Sequence, residues 1–270
     1  MSSIIYNGHE IQDLIINGNQ AQLWLNGQKL YPTGEPVDPY NPLGLPPFTI
    51  RVKFKSGYTP TMGDSQTLVD ATENVWDITK NVTPQTSSWS NLFQSNSNLL
   101  EVLGANATGV TDMSSIFAWC SNLTSVQLFD TSTVSYLDYM LAGTGISTVP
   151  LFETSSCINI NSMLLVCRSL TTVPLFDTGS CLHMSSMFEG CSSLTSIPLF
   201  DTSSCNNMDQ MFRYCYNVQS GALALYQQAS TQATPPTNHT GTFTNCGRDT
   251  VTGAAELAQI PTSWGGTMSV

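Results

Sequence analysis

Basic residues are scarce in this 270-residue chain: 8 Lys and Arg stand against 19 Asp and Glu, a formal charge of −11. No lysine follows Lys80, and the chain beyond it carries only Arg168, Arg213 and Arg248. A protein that reads nucleic-acid backbone needs a basic stripe, and none can be assembled here. The same shortage argues against docking on anionic lipid. Charged residues of both signs make up only 10% of the chain, where about 25% is usual. No run of about 18 apolar residues occurs, so membrane insertion is not expected. The opening segment, Met1 to Glu10, lacks the basic and apolar stretches of a secretory leader. Synthesis in a cytosol is therefore expected, with function there or release by a route other than ordinary secretion. Eight cysteines are too few for a small disulfide scaffold. The 41% of hydrophobic residues is enough to bury a core.

Asn-Gly dipeptides at 7–8, 17–18 and 26–27 punctuate β-type runs in residues 1–31. Because Asn-Gly suits type I′ turns, a small meander is expected there. Its apolar residues Ile5, Tyr6, Ile15, Leu23, Trp24 and Leu25 are the candidates for an anchoring surface, since so few strands cannot bury a core alone. A capping role against the rest of the chain is the alternative. Six prolines in residues 32–47 make a semi-rigid linker. Residues 48–54 alternate as a half-buried strand, 67–76 is a second, weaker strand candidate, and 48–90 is read as an N-terminal cap.

Internal repetition dominates the chain from Leu92 onward. An apolar pair recurs at a near-constant step as Leu92-Phe93, Ile116-Phe117, Met140-Leu141, Met163-Leu164, Met187-Phe188 and Met211-Phe212. A block of Leu-Phe-Asp/Glu-Thr recurs at 128–131, 151–154, 175–178 and 199–202. Met184, Met187, Phe188 and Cys191 stand at i, i+3, i+4 and i+7, the spacing of one helical face. A short strand is expected around Ile197 and Leu199, both facing inward. One strand and one helix in a period of about 20–29 residues is leucine-rich-repeat arithmetic. The expected fold is thus an α/β leucine-rich-repeat solenoid of about six strand–helix rungs over 91–220, with a C-terminal cap over 221–270.

The pattern Asn207-Met208-x-x-Met211-Phe212-x-x-Cys215 resembles the BspA-type leucine-rich repeat of bacterial surface antigens and their mycoplasma surface-lipoprotein relatives. The resemblance covers residues ~90–220. The flanks, 48–76 and 221–264, resemble those of repeat proteins encoded by gut Bacteroidales and their tailed phages, and the Asn-Gly meander resembles a short phage structural N-terminus. These resemblances imply a non-enzymatic virion appendage: residues 1–31 would join other virion proteins, and the repeats would hold a bacterial surface polysaccharide or protein. A bacterial cell-surface adhesin is the alternative, a glycan-acting enzyme a remote one, and a homo-oligomer is compatible with either location.

Cys120, Cys167, Cys191 and Cys215 form one column, and Cys157, Cys181 and Cys205 another. One cysteine per rung does not converge as metal ligands must, so no metal is expected. A reduced, buried ladder is the favoured reading, although stacked rungs do not forbid disulfides. Asp130, Glu153, Asp177 and Asp201 are read as turn caps, with a calcium-lined edge as the alternative. His9, His183 and His239 lie in separate segments, and no cofactor motif occurs. With Ile and Leu inward, the exposed stripe would take Gln127, Phe129, Phe152, Phe176 and Phe200; the equal alternative is that these Phe pack beneath the following turn. Tyr136, Tyr139 and Tyr214 are further candidates for ligand contact.

Overall fold

A computed structural model describes residue 38, residues 40–83 and 87–268, and the backbone of five short strands between residues 4 and 29. In that N-terminal segment β1 (Ile4–Tyr6) pairs antiparallel with β2 (His9–Ile11). The strands β3 (Asp13–Asn17), β4 (Gln20–Leu25) and β5 (Gln28–Lys29) form a second small antiparallel sheet.

The main sheet has five strands: β6 (Thr49–Phe54), β7 (Ser65–Asp70), β8 (Val75–Thr79), β9 (Leu99–Asn106) and β10 (Ser125–Val126), ordered β10-β9-β6-β8-β7. Alternation places Ile50, Val52 and Phe54 of β6 in the core. The stretch 67–76 is not one strand but parts of the β7–β8 hairpin. All pairs are antiparallel except β9–β10, which is parallel because these strands belong to successive repeats.

The repeat does not form an α/β leucine-rich-repeat solenoid. The described residues hold this mixed sheet and two α-helices, α1 (Ala222–Thr231) and α2 (Val251–Leu257), both beyond the repeats. No rung contains a helix. The reason lies in the backbone of the Met-Phe segments. Each contains two left-handed residues four apart: Ser115 and Trp119, Tyr139 and Gly143, Ser162 and Val166, Ser186 and Gly190, Gln210 and Tyr214. A positive φ at the third residue of a four-residue turn makes it type II and stops helix propagation. In one such pair of turns the Ile116 N–H donates to Met113 and the Cys120 N–H to Phe117 (3.2 and 3.1 Å). Two consecutive turns put Met113, Ile116, Phe117 and Cys120 inward, all fully buried. A four-residue turn period thus mimics the i, i+3, i+4, i+7 signature of a helix.

The left-handed residues also turn their N–H groups sideways, towards the following rung. The N–H groups of Ser115, Phe117 and Trp119 donate to the carbonyls of Asp138, Met140 and Ala142 (2.8, 3.0 and 2.6 Å), and the pattern recurs down the stack. An adjoining wall carries single parallel bridges from Ser88 through Asp112, Tyr136, Asn159, His183 and Asn207 to Asn238. That last step is the longest, because α1 is inserted before the chain rejoins the stack as a seventh rung. Phe243 of this rung stacks on Phe212 at 6.0 Å and 3°. Cys246 extends the first cysteine column, so all eight cysteines are buried and unbridged.

The Leu-Phe blocks take the second of the two expected facings, with Phe packed inward and Leu outward. The Phe152, Phe176 and Phe200 N–H groups donate to the carbonyls of Pro150, Pro174 and Pro198, two positions back (2.9, 3.1 and 3.0 Å). Such a three-residue turn throws its central residue outward. Leu151, Leu175 and Leu199 are therefore 57, 59 and 53% exposed, while the four Phe of the column are at most 1% exposed.

Candidate functional site

The polar columns are structural. The backbone N–H groups of Ser132, Gly179 and Ser203 donate to Asp130, Asp177 and Asp201 (2.8, 3.2 and 2.8 Å). Hydrogen bonds from the Ser203 hydroxyl and N–H hold the Asp201 carboxyl below its ordinary range. Buried Thr131, Thr154 and Thr178 donate to the next rung's carbonyl at residues 153, 177 and 201 (2.8, 2.7 and 2.7 Å). The thiols of Cys120, Cys167, Cys191 and Cys215 donate to carbonyls of the preceding rung (3.0 to 3.1 Å). Burial pushes Cys120, Cys157 and Cys181 up to about 12, and Cys167 and Cys205 to about 11. Thiols held neutral in this way are poor nucleophiles and poor metal ligands. Among the described residues no group of three or more His, Cys, Asp or Glu is arranged to hold a metal ion.

The residues singled out from the sequence do not gather at one place. Phe129, Phe152, Phe176 and Phe200 are core, so the expected aromatic stripe does not face solvent. Gln127 and Tyr136 are exposed, Tyr136 within the bridge ladder. Tyr139 is exposed at a left-handed position. The anchoring candidates Ile5, Tyr6, Ile15, Leu23, Trp24 and Leu25 fall on β1, β3 and β4, but their side chains lie outside the described residues.

Tyr214 does belong to a cleft. It lies on the edge where the second left-handed residue of each rung stacks: Trp119, Gly143, Val166, Gly190 and Tyr214. Trp119 covers Gly143 with its ring, whereas nothing covers Gly190, whose nearest neighbour is Val166. The missing side chain leaves a notch of about 500 Å³ lined by Leu165, Val166, Arg168, Glu189, Gly190, Ser192, Tyr214 and Tyr216. Val166 and Tyr214 are two rungs apart, about 10 Å at ordinary strand spacing. The volume lies in the range of small-ligand sites.

Two guanidinium groups fix the aromatic side of the notch. Arg213 lies over the Tyr214 ring, 4.4 Å from its centroid, and donates to the Tyr214 hydroxyl at 2.6 Å. Its other arm is 3.7 Å from the Glu189 carboxylate. Arg248 lies over the Tyr216 ring at the same 4.4 Å and pairs with Asp249 at 3.2 Å. The two tyrosine rings are 5.9 Å apart. Arg168 lies on the opposite side, exposed and without a partner among the described residues. Of the three arginines beyond Lys80, Arg168 lines the cleft, and Arg213 and Arg248 reach it only through the tyrosine rings they cover. Sequence columns held the signal: writing the rungs under one another aligns Val166, Gly190 and Tyr214, and beside them Arg168, Ser192 and Tyr216.

No curated protein and no solved structure matches this chain. Residues 86–173 and 145–237 each match one family model, described as Mycoplasma protein of unknown function, DUF285. Together the two matches span 86–237, more than half of the 270 residues. The boundaries coincide with the hydrogen-bonded stack, which begins at Ser87 and runs through Asn238. With more than half of its length matched, the chain belongs to the DUF285 family.

Proposed function

We propose that this chain is a non-enzymatic attachment module that holds a surface polysaccharide or protein in the cleft at Gly190. The observation that carries the reading is the meeting of Arg168, Tyr214 and Tyr216 at one notch, with the two tyrosine rings held by Arg213 and Arg248, in a chain whose other lysines and arginines all lie at or before Lys80. Rigid tyrosines and arginines supply large contact areas at small entropic cost, and both are enriched where binding energy concentrates. Acid–base catalysis would need two carboxyl groups in different environments. The acid column instead repeats one turn-capping environment at Asp130, Asp177 and Asp201. The resemblance of the flanks suggests a tailed phage as the setting, with β1–β5 as the joint to the particle.

The test is retention of the full chain on immobilised bacterial surface polysaccharides and surface proteins, compared with a Tyr214→Ala, Tyr216→Ala double variant. Retention that falls in the variant supports the reading. Absence of retention on any of these surfaces overturns it.

A further inference from the structure

One cation, Arg168, lines the cleft, and the two arginines that cover its tyrosine rings are already engaged. Arg213 is held by the Tyr214 ring and hydroxyl, by Gln210 at 3.0 Å, and by Glu189. Arg248 is held by the Tyr216 ring and Asp249. Their carboxylate neighbours offset both charges. Arg168 alone keeps an unmatched guanidinium at the rim, facing solvent. The site thus offers one free cation, one carboxylate acceptor at Glu189, one hydroxyl at Ser192 and two aromatic rings.

That inventory describes its ligand. A guanidinium fork matches a carboxylate in two parallel hydrogen bonds. Glu189, acceptor-only when ionised, calls for hydroxyl donors on the same ligand. Tyrosine rings call for an apolar face of C–H groups. Glu189 in the notch and a molecular charge of −11 disfavour a multiply charged phosphate, which one free guanidinium cannot neutralise. Resting on the reading of the chain as an attachment module, we propose that the cleft binds a carboxylated pyranose, the uronic-acid unit of an acidic polysaccharide. Arg168 clamps the carboxylate, Tyr214 and Tyr216 support the sugar ring, and Glu189 and Ser192 take its hydroxyls. Gly190 keeps the space open, because any side chain there would project into the notch from a left-handed backbone (φ +75°).

The experiment measures the full chain against polygalacturonate, alginate and hyaluronan, and against the same three polymers with their carboxyl groups reduced to alcohols. Arg168→Gln is run beside the parent protein, with thermal unfolding as a control on folding, since the side chain is exposed. The expected result is binding to at least one acidic polymer, weakened about tenfold or more both by carboxyl reduction and by Arg168→Gln, as loss of a charge-assisted contact implies. Equal binding to the reduced polymers, or full affinity in Arg168→Gln, overturns the carboxylate proposal and leaves the attachment module standing. Binding to no polysaccharide, acidic or neutral, overturns the carboxylate proposal, while retention on a surface protein would keep the broader reading. Retention on neither would overturn both.

Discussion

The indole of Trp119 occupies the space in which a β-carbon on Gly143 would stand. These residues hold equivalent positions in successive rungs, both with positive φ (62° and 68°). The rung that lacks a side chain receives the ring of its neighbour. Gly143→Ala must then displace the indole and place a β-carbon in the left-handed region, which alone costs about 1 kcal/mol. The expected outcome is a loss of about 2 kcal/mol or more, read as a fall of several degrees in Tm by calorimetry. Gly190→Ala carries only the backbone cost, because its β-carbon would meet Val166 at an ordinary 3.4 Å.

Adjacent residues of one block should respond in opposite ways to truncation. Phe176 is buried against Phe200, whereas Leu175 is at the apex of its turn in solvent. Phe176→Ala should cost about 3–5 kcal/mol. Leu175→Ser should stay within about 0.5 kcal/mol of the parent. Urea unfolding of both variants checks the pair, and a large loss in Leu175→Ser would show the block facing the other way.

The cysteine columns make stability sensitive to alkali. An unfolded thiol titrates near the ordinary 9.0, while Cys120, Cys157 and Cys181 are held to about 12. Above pH ~9 the unfolded chain releases protons that the folded chain keeps, so unfolding becomes more favourable as pH rises. Below pH ~8 both states are protonated, and this contribution to stability is fully present. Chemical unfolding followed from pH 8 to 11 should show a progressive loss of stability. Iodoacetamide at pH 8 should label none of the eight cysteines in the folded protein and all of them in denaturant. One rapidly labelled native cysteine would contradict the buried ladder.

Val166 is a β-branched residue at φ 59°, in a region such side chains rarely enter. Asparagine tolerates that conformation far better. Val166→Asn should therefore stabilise the protein by about 0.5–1 kcal/mol, seen as a higher Tm. An unchanged or lower Tm would mean that the Val166 side chain contributes more by packing than its backbone costs.

Much of this molecule was legible as columns and little of it as elements. The repeat step identified Phe117, Leu123, Val126 and Cys120 as core, because stacked copies bury the same position in every rung. The helix assignment failed because Met113, Ile116, Phe117 and Cys120 have helical spacing in a chain of type II turns. Positive φ at Ser115 and Trp119 is the deciding difference, and neither residue type announces it. The facing of the Leu-Phe blocks was open between two readings, and a three-residue turn at Pro150, Pro174 and Pro198 decides it by shifting the alternation by one. Cys246 escaped the columns because the insertion of α1 lengthens its step from Cys215. The cleft was half visible: Tyr214 stood out as an aromatic, but the gap at Gly190 and the placing of Arg168 opposite Tyr214 and Tyr216 depend on which residues the stack brings level.

The one-way hydrogen bonding of the Met-Phe wall has an electrostatic consequence. In an ordinary sheet, peptide dipoles alternate in direction and nearly cancel. Here the N–H groups of Ser115, Phe117 and Trp119, and their equivalents in later rungs, all point towards the C-terminal end. Each peptide contributes about 3.5 D, and parallel dipoles sum as they do along a helix axis. The wall is therefore polarised along its length, with its positive pole at the last rungs. Val166, Gly190 and Tyr214 donate in that same direction, to the carbonyls of Glu189, Arg213 and Thr244. The other walls donate the opposite way, as where the N–H groups of Thr111, Ser135 and Ile158 go to the carbonyls of Ser87, Thr111 and Ser135 in the preceding rung, so this polarity belongs to the Met-Phe wall alone, the wall that carries the notch.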